Sequence, residues 1–320
     1  MPSRPLSKKL EKYFYRYFYR CLDVSSYKQL TKLCARATKK MLEHNWQLTV
    51  DIPFLDQDSK RPLREGPDAG WPREEVFLDF LLKFGPETNQ VTIKGSSRLA
   101  QLMLSPSVTS EALPGLKILS LSSSFSDFED PFHPAHYAPL VYCPTLATLV
   151  LDVRRSPDSI VSSSKPFPEH YFSTLTPNSL TFKGPLGSSP FCSNLVARFD
   201  RLQLLSLDDT SDSSLVLPSL LAQLVHPEKV SSIGLGCMSI EDSIATQVAT
   251  ELARFTQLIQ LRFRNGFYGD SNEFYSALGR LKLRSIAFGE NVKLEWKLLS
   301  TLISGSKRMK SLKVVILDDV

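Results

Sequence analysis

The chain has little of what a secreted, membrane-spanning or metal-built protein needs. Its five cysteines, Cys21, Cys34, Cys143, Cys192 and Cys237, are widely spread over 320 residues, odd in number, and form no C-x-x-C pair. That usage argues against a disulfide framework or a zinc module, and predicts reduced, mostly buried thiols in an intracellular protein. No apolar run approaches the roughly 18 residues needed to cross a bilayer. The N-terminus lacks the uninterrupted apolar stretch of a secretory signal. There is no G-x-S-x-G, no H-E-x-x-H and no Walker phosphate loop. Gly184-Pro185-Leu186-Gly187 has too few glycines, wrongly spaced, to cradle a phosphate. His133 and His136 stand near His170, but Pro131, Pro134 and Pro139 oppose the helix on which such a pair would ligate a metal. They read as loop histidines. Asp208-Asp209 and Asp318-Asp319 follow apolar strands, where turn chemistry accounts for them. The expectation is a protein that is not an enzyme, holds no cofactor or metal, and works in the cytoplasm or nucleus.

What the chain does have is a recurring apolar phrase, L-x-x-L-x-L. Leu116-x-x-Leu119-x-Leu121 and Leu146-x-x-Leu149-x-Leu151 are the first clear copies. Leu180-x-Phe182, Leu202-x-x-Leu205-x-Leu207, Val230-x-x-Ile233-x-Leu235, Leu258-x-x-Leu261-x-Phe263, Leu283-x-x-Ile286-x-Phe288 and Leu312-x-x-Val315-x-Leu317 follow. Their closing residues are spaced 25 to 31 apart. That is the period of a leucine-rich repeat, in which each unit buries its apolar letters only against its neighbours. The predicted fold is an α/β, leucine-rich-repeat-like, right-handed solenoid of about eight to ten irregular repeats, with parallel strands on the concave face and helices and loops outside. Val91 and Ile93 predict a strand in phase with the array, Ile93 lying 28 residues before Leu121. Leu99-x-x-Leu102-x-Leu104 is out of phase and reads as an intervening helix or turn. Helices are expected at 73–84, 214–225, 240–255, 271–280 and 294–304. In the third, Ile244, Val248 and Leu252 form one stripe, with Glu241 and Asp242 at the positive end of the helix dipole. The Pro- and Ser-rich segments 122–145 and 154–178 oppose long helices.

Charge divides the chain. Residues 1–50 carry eleven Lys and Arg against three acids, a net +8, while the other 270 carry 27 against 30, a net −3. The basic part, residues 1–46, reads as a helical, aromatic-rich N-terminal cap on a solenoid spanning 47–320, with a loop insertion at about 56–75 from its Pro, Gly and charge content. Residues 6–22 are expected to be a short helix. A second covers 26–44, with Leu30, Leu33, Cys34, Ala37 and Met41 on its apolar face and Ser25 or Ser26 as N-cap. Lys28, Lys32, Arg36 and Lys40 fall four apart on its other side. A strand at 47–54 turns Leu48, Val50 and Ile52 one way. The cap reading stands beside two others: a binder of nucleic acid or acidic membrane, since Lys12 to Arg20 interleaves bases with aromatics, or a targeting segment.

The concave wall is the candidate binding site, because residues between and after the apolar letters of a strand point away from the core. The position after the last apolar letter supplies Asp152, Lys183, Asp208, Arg264 and Asp318, and the position inside the final pair supplies Arg262. Arg262 and Arg264 are expected side by side on one strand, with Asp208 two repeats away. A planar guanidinium can pair bidentately with carboxylate or phosphate. The chain ends at Asp318-Asp319-Val320 directly after a strand, without a visible closing cap. It is therefore expected either to be a fragment or to have that end covered by something else.

The segment Phe18-Tyr19-Arg20-Cys21-Leu22-Asp23-Val24-Ser25-Ser26, the helix from Lys28 to Leu42, the strand Leu48 to Ile52 and the repeats together resemble fungal F-box/leucine-rich-repeat-like proteins. The resemblance covers most of the chain. It implies a substrate-recognition module of the ubiquitin-ligase receptor type, whose partner is an unidentified protein on the concave face. Too few residues precede Phe18 to hold the F-box itself, and its Leu-Pro opening is missing. Docking to the ligase adaptor is therefore not implied for this chain.

Overall fold

A computed structural model of the chain describes residues 20–36, 47–51, 73–94, 112–124, 145–154, 177–184, 199–209, 216–237, 240–265, 272–289, 300 and 314–317. The described residues fall into two compact units, one built on four strands and the other on seven. Both are parallel ladders in which strand order follows chain order.

The first unit runs β1 (Cys21–Val24), α1 (Tyr27–Arg36), β2 (Gln47–Asp51), α2 (Arg73–Phe84), β3 (Gln90–Lys94) and β4 (Ile118–Ser124). Ile93 pairs with Leu121, as their phase predicts. Cys21–Val24 lies inside the segment read as a helical cap, yet it is a strand bound to β2, with Leu22 opposite Leu48 and Val24 opposite Val50. It is the first described rung. Leu22 and Val24 are buried while Cys21 and Asp23 are exposed, so the two-residue alternation of a strand prevails over the helix expected through residue 22.

Ser26 is the N-cap of α1, its Oγ accepting from Gln29 N at 3.2 Å. Gln29 accepts in turn from Ser25 N at 3.0 Å and donates through Nε2 to Asp23 O at 2.8 Å, which ties the helix start to the end of β1. Leu30 is buried, Leu33 and Cys34 are half-buried, and α1 packs against α2. Ala37, Met41 and Ile52 lie outside the described residues. So do the insertion expected at about 56–75 as far as residue 72, all of the helix expected at 294–304 except Ser300, the phrase at Leu99, and His133, His136 and His170, while residues 73–75, expected to end the insertion, open α2.

The second unit runs β5 (Thr148–Arg154), β6 (Ser179–Gly184), β7 (Leu204–Asp209), α3 (Val216–Ala222), a 3-10 turn (Pro227–Lys229), β8 (Ser232–Cys237), α4 (Asp242–Leu252), β9 (Gln260–Asn265), α5 (Asn272–Leu278), β10 (Ser285–Phe288) and β11 (Val314–Leu317). Within the two units the closing letters Leu121, Leu151, Leu207 and Leu235 are each at most 2% exposed. Burying a leucine side chain contributes about 2 kcal/mol, so each rung is held mainly by its apolar letters. Beneath β9 and β10 the core is aromatic. Phe263 stacks on Phe288 with ring centroids 5.6 Å apart and meets Phe274 of α5 at 5.7 Å. Ile244, Val248 and Leu252 are buried as one stripe of α4, which packs against both α3 and α5.

One backbone device recurs in both units. The carbonyl of the residue just before a strand accepts two N–H groups from the next rung. Asn89 O takes Lys117 N and Ile118 N at 2.8 and 3.0 Å. Ala147, Asn178, Gln203, Ser231 and Ile259 do the same in the second unit, the last holding Arg284 N and Ser285 N at 2.8 and 3.0 Å. These groups lie outside the regular ladder and would otherwise lack partners. The fork therefore sets the register of β4, β6, β7, β8, β9 and β10 before their side chains are considered. Arg254 and Lys229 add side-chain ties, donating to Ala222 O and Asp200 O at 2.8 Å each. No helix among the described residues is long and apolar enough to cross a membrane.

Candidate binding face of the second unit

Asp152, Lys183, Asp208 and Arg264 occupy one row of the second unit. The register runs Asp152 to Lys183, Lys183 to Asp208, Asp208 to Gly236, and Gly236 to Arg264. The neighbouring row runs Thr181, Ser206, Gly234, Arg262 and Ala287. Arg262 and Arg264 do flank Phe263 on one strand face, and Asp208 is two strands away, as the repeat spacing predicts. Lys183 and Arg262 are exposed, Asp152 and Arg264 are half-buried, and Asp208 is 7% exposed. Asp318 lies outside the described residues. In the first unit Lys28, Lys32 and Arg36 are all exposed on α1, and Lys40 lies outside the described residues.

The sequence reading did not single out the partner that orders this face. Arg264 Nη1 donates to Ser206 Oγ at 3.2 Å, reaching across β8 to β7. The strand it crosses carries glycine at both face positions, Gly234 and Gly236. A Cβ on Gly236 would stand 2.6 Å from Asp208 Oδ1 and 3.3 Å from Arg264 Cβ, and one on Gly234 would stand 3.1 Å from Ser206 Oγ. The glycines make a trough in which the guanidinium lies. Its signal was in the sequence: glycine inside a strand pattern marks a close approach by another group, and Ser232-Ile233-Gly234-Leu235-Gly236 has two at alternate positions. No family model and no curated protein matches the chain. Among solved structures it is similar to a protein from Bacteroides fragilis at 15% identity and a TM-score of 0.43, over 75% of this chain and 68% of that one. It is also similar to a chain of the Toll–Spatzle complex, a hub in Drosophila development and innate immunity, at 11% identity and a TM-score of 0.40, over 90% of this chain and 42% of that one. Likeness at this level carries no argument about function.

On the far side of β9, β10 presents Ser285 and Ala287, with Gly289 just after it, so the arginine strand stands between two low strands. The turn into β10 alternates Arg280, Lys282 and Arg284, all exposed, with Leu281 and Leu283, both buried. Sequence reasoning passed over these three cations because on the repeats it took as candidates only the position inside the final pair of apolar letters and the one after it.

Two of the five cysteines are less buried than expected, and Cys143 and Cys192 lie outside the described residues. Cys21 is exposed on β1, and Cys34 is half-buried on α1. The expected burial of thiols overlooked that position 21 falls on the outward side of a strand. Partial burial pushes the Cys34 thiol above its ordinary value, the Asp79 carboxylate pushes it further, and Lys83 pulls it partly back.

Proposed function

We propose that the chain is a binding protein, not an enzyme, and that a protein partner docks on the strand face of its second unit around Arg262 and Arg264. The observation that carries this reading is the trough. A guanidinium is held by Ser206 over two glycines, next to a second, exposed arginine. Such a surface exists before the partner arrives, so little ordering free energy is lost on docking. Arginine is also favoured at the energetic centre of protein interfaces. The finer reading is the substrate-recognition half of an F-box-like ubiquitin-ligase receptor acting in the cytoplasm or nucleus. It is supported by the sequence resemblance, with whose order of a helix and then a strand after Ser26 α1 and β2 agree. Adaptor docking forms no part of the proposal.

The test is affinity capture with the immobilised full chain, comparing wild type with Arg262→Glu/Arg264→Glu by quantitative mass spectrometry. Partners that use the face are expected to fall at least about tenfold, since truncating an arginine at an interface hot spot costs about 2 kcal/mol or more. Retention of every partner by the double variant would reject the site. A second reading is favoured by the exposure of Lys28, Lys32 and Arg36 on α1. It makes the N-terminal segment a binder of nucleic acid or anionic membrane. That reading requires duplex, single strand or anionic vesicles to bind at low salt and release at high salt. No binding at low salt ends it.

A further inference from the structure

Resting on the protein-binding reading above, the geometry points to the chemistry of the partner: we infer that the face from β7 to β10 takes an extended, acidic peptide segment whose carboxylates pair with Arg262 and with the cations of the β10 turn. Three observations carry this. The first is charge. Arg262, Lys282 and Arg284 are exposed and Arg264 is half-exposed, while the carboxylate in the same row, Asp208, is 7% exposed and offsets one of these charges, which leaves the cations in excess. Ser285 pairs with Gln260, so Arg284 lies in the turn just before β10, opposite Ile259 and at the edge of the row of Gln260 and Arg262, three residues before Arg262 on the adjacent strand. From strand rise and spacing their Cα atoms are about 11 Å apart. Allowing for side-chain reach, their fields overlap within roughly one screening length at 0.1 M salt.

The second observation is spacing. Arg262 and Arg264 repeat at alternate residues, about 6.6 Å apart along the strand. Alternate side chains of an extended peptide project to one side at the same interval, so one peptide can address both. The low strand on the far side, with Ser285 and Ala287 on β10 and Gly289 just after it, leaves room for its backbone. The third is the composition of the described part of this face. Among the described residues of this face none is aromatic: Phe182, Phe263 and Phe288 are all in the core. Single-stranded nucleic acid is held largely by stacking on aromatic side chains, and this face offers instead Leu204, 40% exposed on β7, as a foothold for an apolar peptide side chain.

The experiment uses the full chain and three labelled probes of equal length: a Glu-Leu-Glu-Gly repeat peptide, the same peptide with every Glu replaced by Gln, and a single-stranded oligonucleotide of matched charge. Fluorescence anisotropy is expected to show binding of the Glu peptide, at least tenfold weaker binding of the Gln peptide, and an oligonucleotide weaker than the Glu peptide. Arg262→Glu and Lys282→Glu/Arg284→Glu should each weaken the Glu peptide at least about fivefold with an unchanged far-ultraviolet spectrum. A charge-swapped probe, with Lys for Glu, should bind Arg262→Glu better than wild type, which loss of folding cannot produce. An oligonucleotide that binds as tightly as the Glu peptide, or equal binding of the Glu and Gln peptides, overturns the inference. If no peptide binds but protein capture still depends on Arg262 and Arg264, the acidic-peptide inference fails and the protein-binding reading stands. If both fail, so does the face.

Discussion

Gly236→Ala sets two physical effects against each other. Backbone preference favours the change: glycine inside a strand is less stable than alanine by about 0.5–1 kcal/mol. The geometry opposes it. The new methyl would lie 2.6 Å from Asp208 Oδ1 and 3.0 Å from Asp208 Cγ. Because Cγ itself is too close, rotating the carboxylate about its last bond brings no relief, and at 7% exposure Asp208 has little room to move as a whole. Overpacking of this kind typically costs 1–3 kcal/mol, so the net expectation is destabilisation by about 1 kcal/mol. The assay is urea unfolding followed by circular dichroism, with m-values compared so that a change in midpoint can be read as a change in stability. The decisive arm repeats the substitution in an Asp208→Ala background. There the two closest obstructing atoms are gone and only Arg264 Cβ, at 3.3 Å, remains near, so the same methyl is expected to stabilise by at most the backbone term. The sign reversal amounts to a coupling of about 2 kcal/mol, within the range for side chains in contact. Gly236→Ala that stabilises wild type, or that costs the same in both backgrounds, would refute the trough. Gly234→Ala makes a milder contact, 3.1 Å from Ser206 Oγ, and is expected to cost less.

Thr88→Val removes a donor that is fully buried and gives Oγ1–H to Phe84 O at 2.7 Å. A loss of about 1–2 kcal/mol by chemical denaturation is expected, and Thr88→Ser, which keeps the hydroxyl, should recover part of it. Gly85→Ala would drive a methyl into the backbone carbonyls of Ala112 and Leu81, which no rotamer change can move. It is expected to cost about 3 kcal/mol or more, seen as a lowered melting temperature and reduced soluble yield. Cys34 should alkylate with iodoacetamide at pH 8 more slowly than exposed Cys21, measured by peptide mass spectrometry, because its raised pKa leaves less thiolate. The sign for stability follows. A folded-state pKa above the unfolded one means the native chain holds this proton longer, so the contribution is intact below the ordinary thiol range and is lost as pH rises through the folded pKa.

The rungs were legible in sequence because their cause is local. A leucine placed every second residue, and again about one repeat later, can be buried in only one register, since a one-residue slip would turn Leu149 and Leu151 or Leu205 and Leu207 to solvent. The face was half legible. Alternation put Arg262 and Arg264 outward, and counting put Asp208 two rungs away. What Arg264 touches depends on the emptiness of the strand between, a property of Gly234 and Gly236 that pairwise reading of apolar letters passes over. Cys21–Val24 was missed for a related reason. Its four residues carry too short an alternation to outweigh the aromatic run before them, and their status as a strand is fixed by β2, 26 residues later.

This division of labour bears on how a repeat protein can acquire a binding site. The core letters fix which way each strand faces. The forked carbonyls at Asn89, Ala147, Asn178, Gln203, Ser231 and Ile259 fix its register using backbone atoms alone. Neither device involves a side chain on the open face, so that face can carry two glycines beside two arginines without disturbing the ladder. Placed in a central strand of an isolated sheet, the same glycines would weaken pairing, because such a strand depends on cross-strand side-chain contacts. Here the cost is confined to the backbone preference of two residues and is offset by the hydrogen bond that Arg264 makes across them. The consequence is specific: Ser206→Ala, which removes the acceptor but leaves the trough, should change binding through Arg264 more than it changes the unfolding midpoint. A large fall in stability with unchanged binding would mean that Arg264 is there to hold the sheet together and that recognition lies elsewhere.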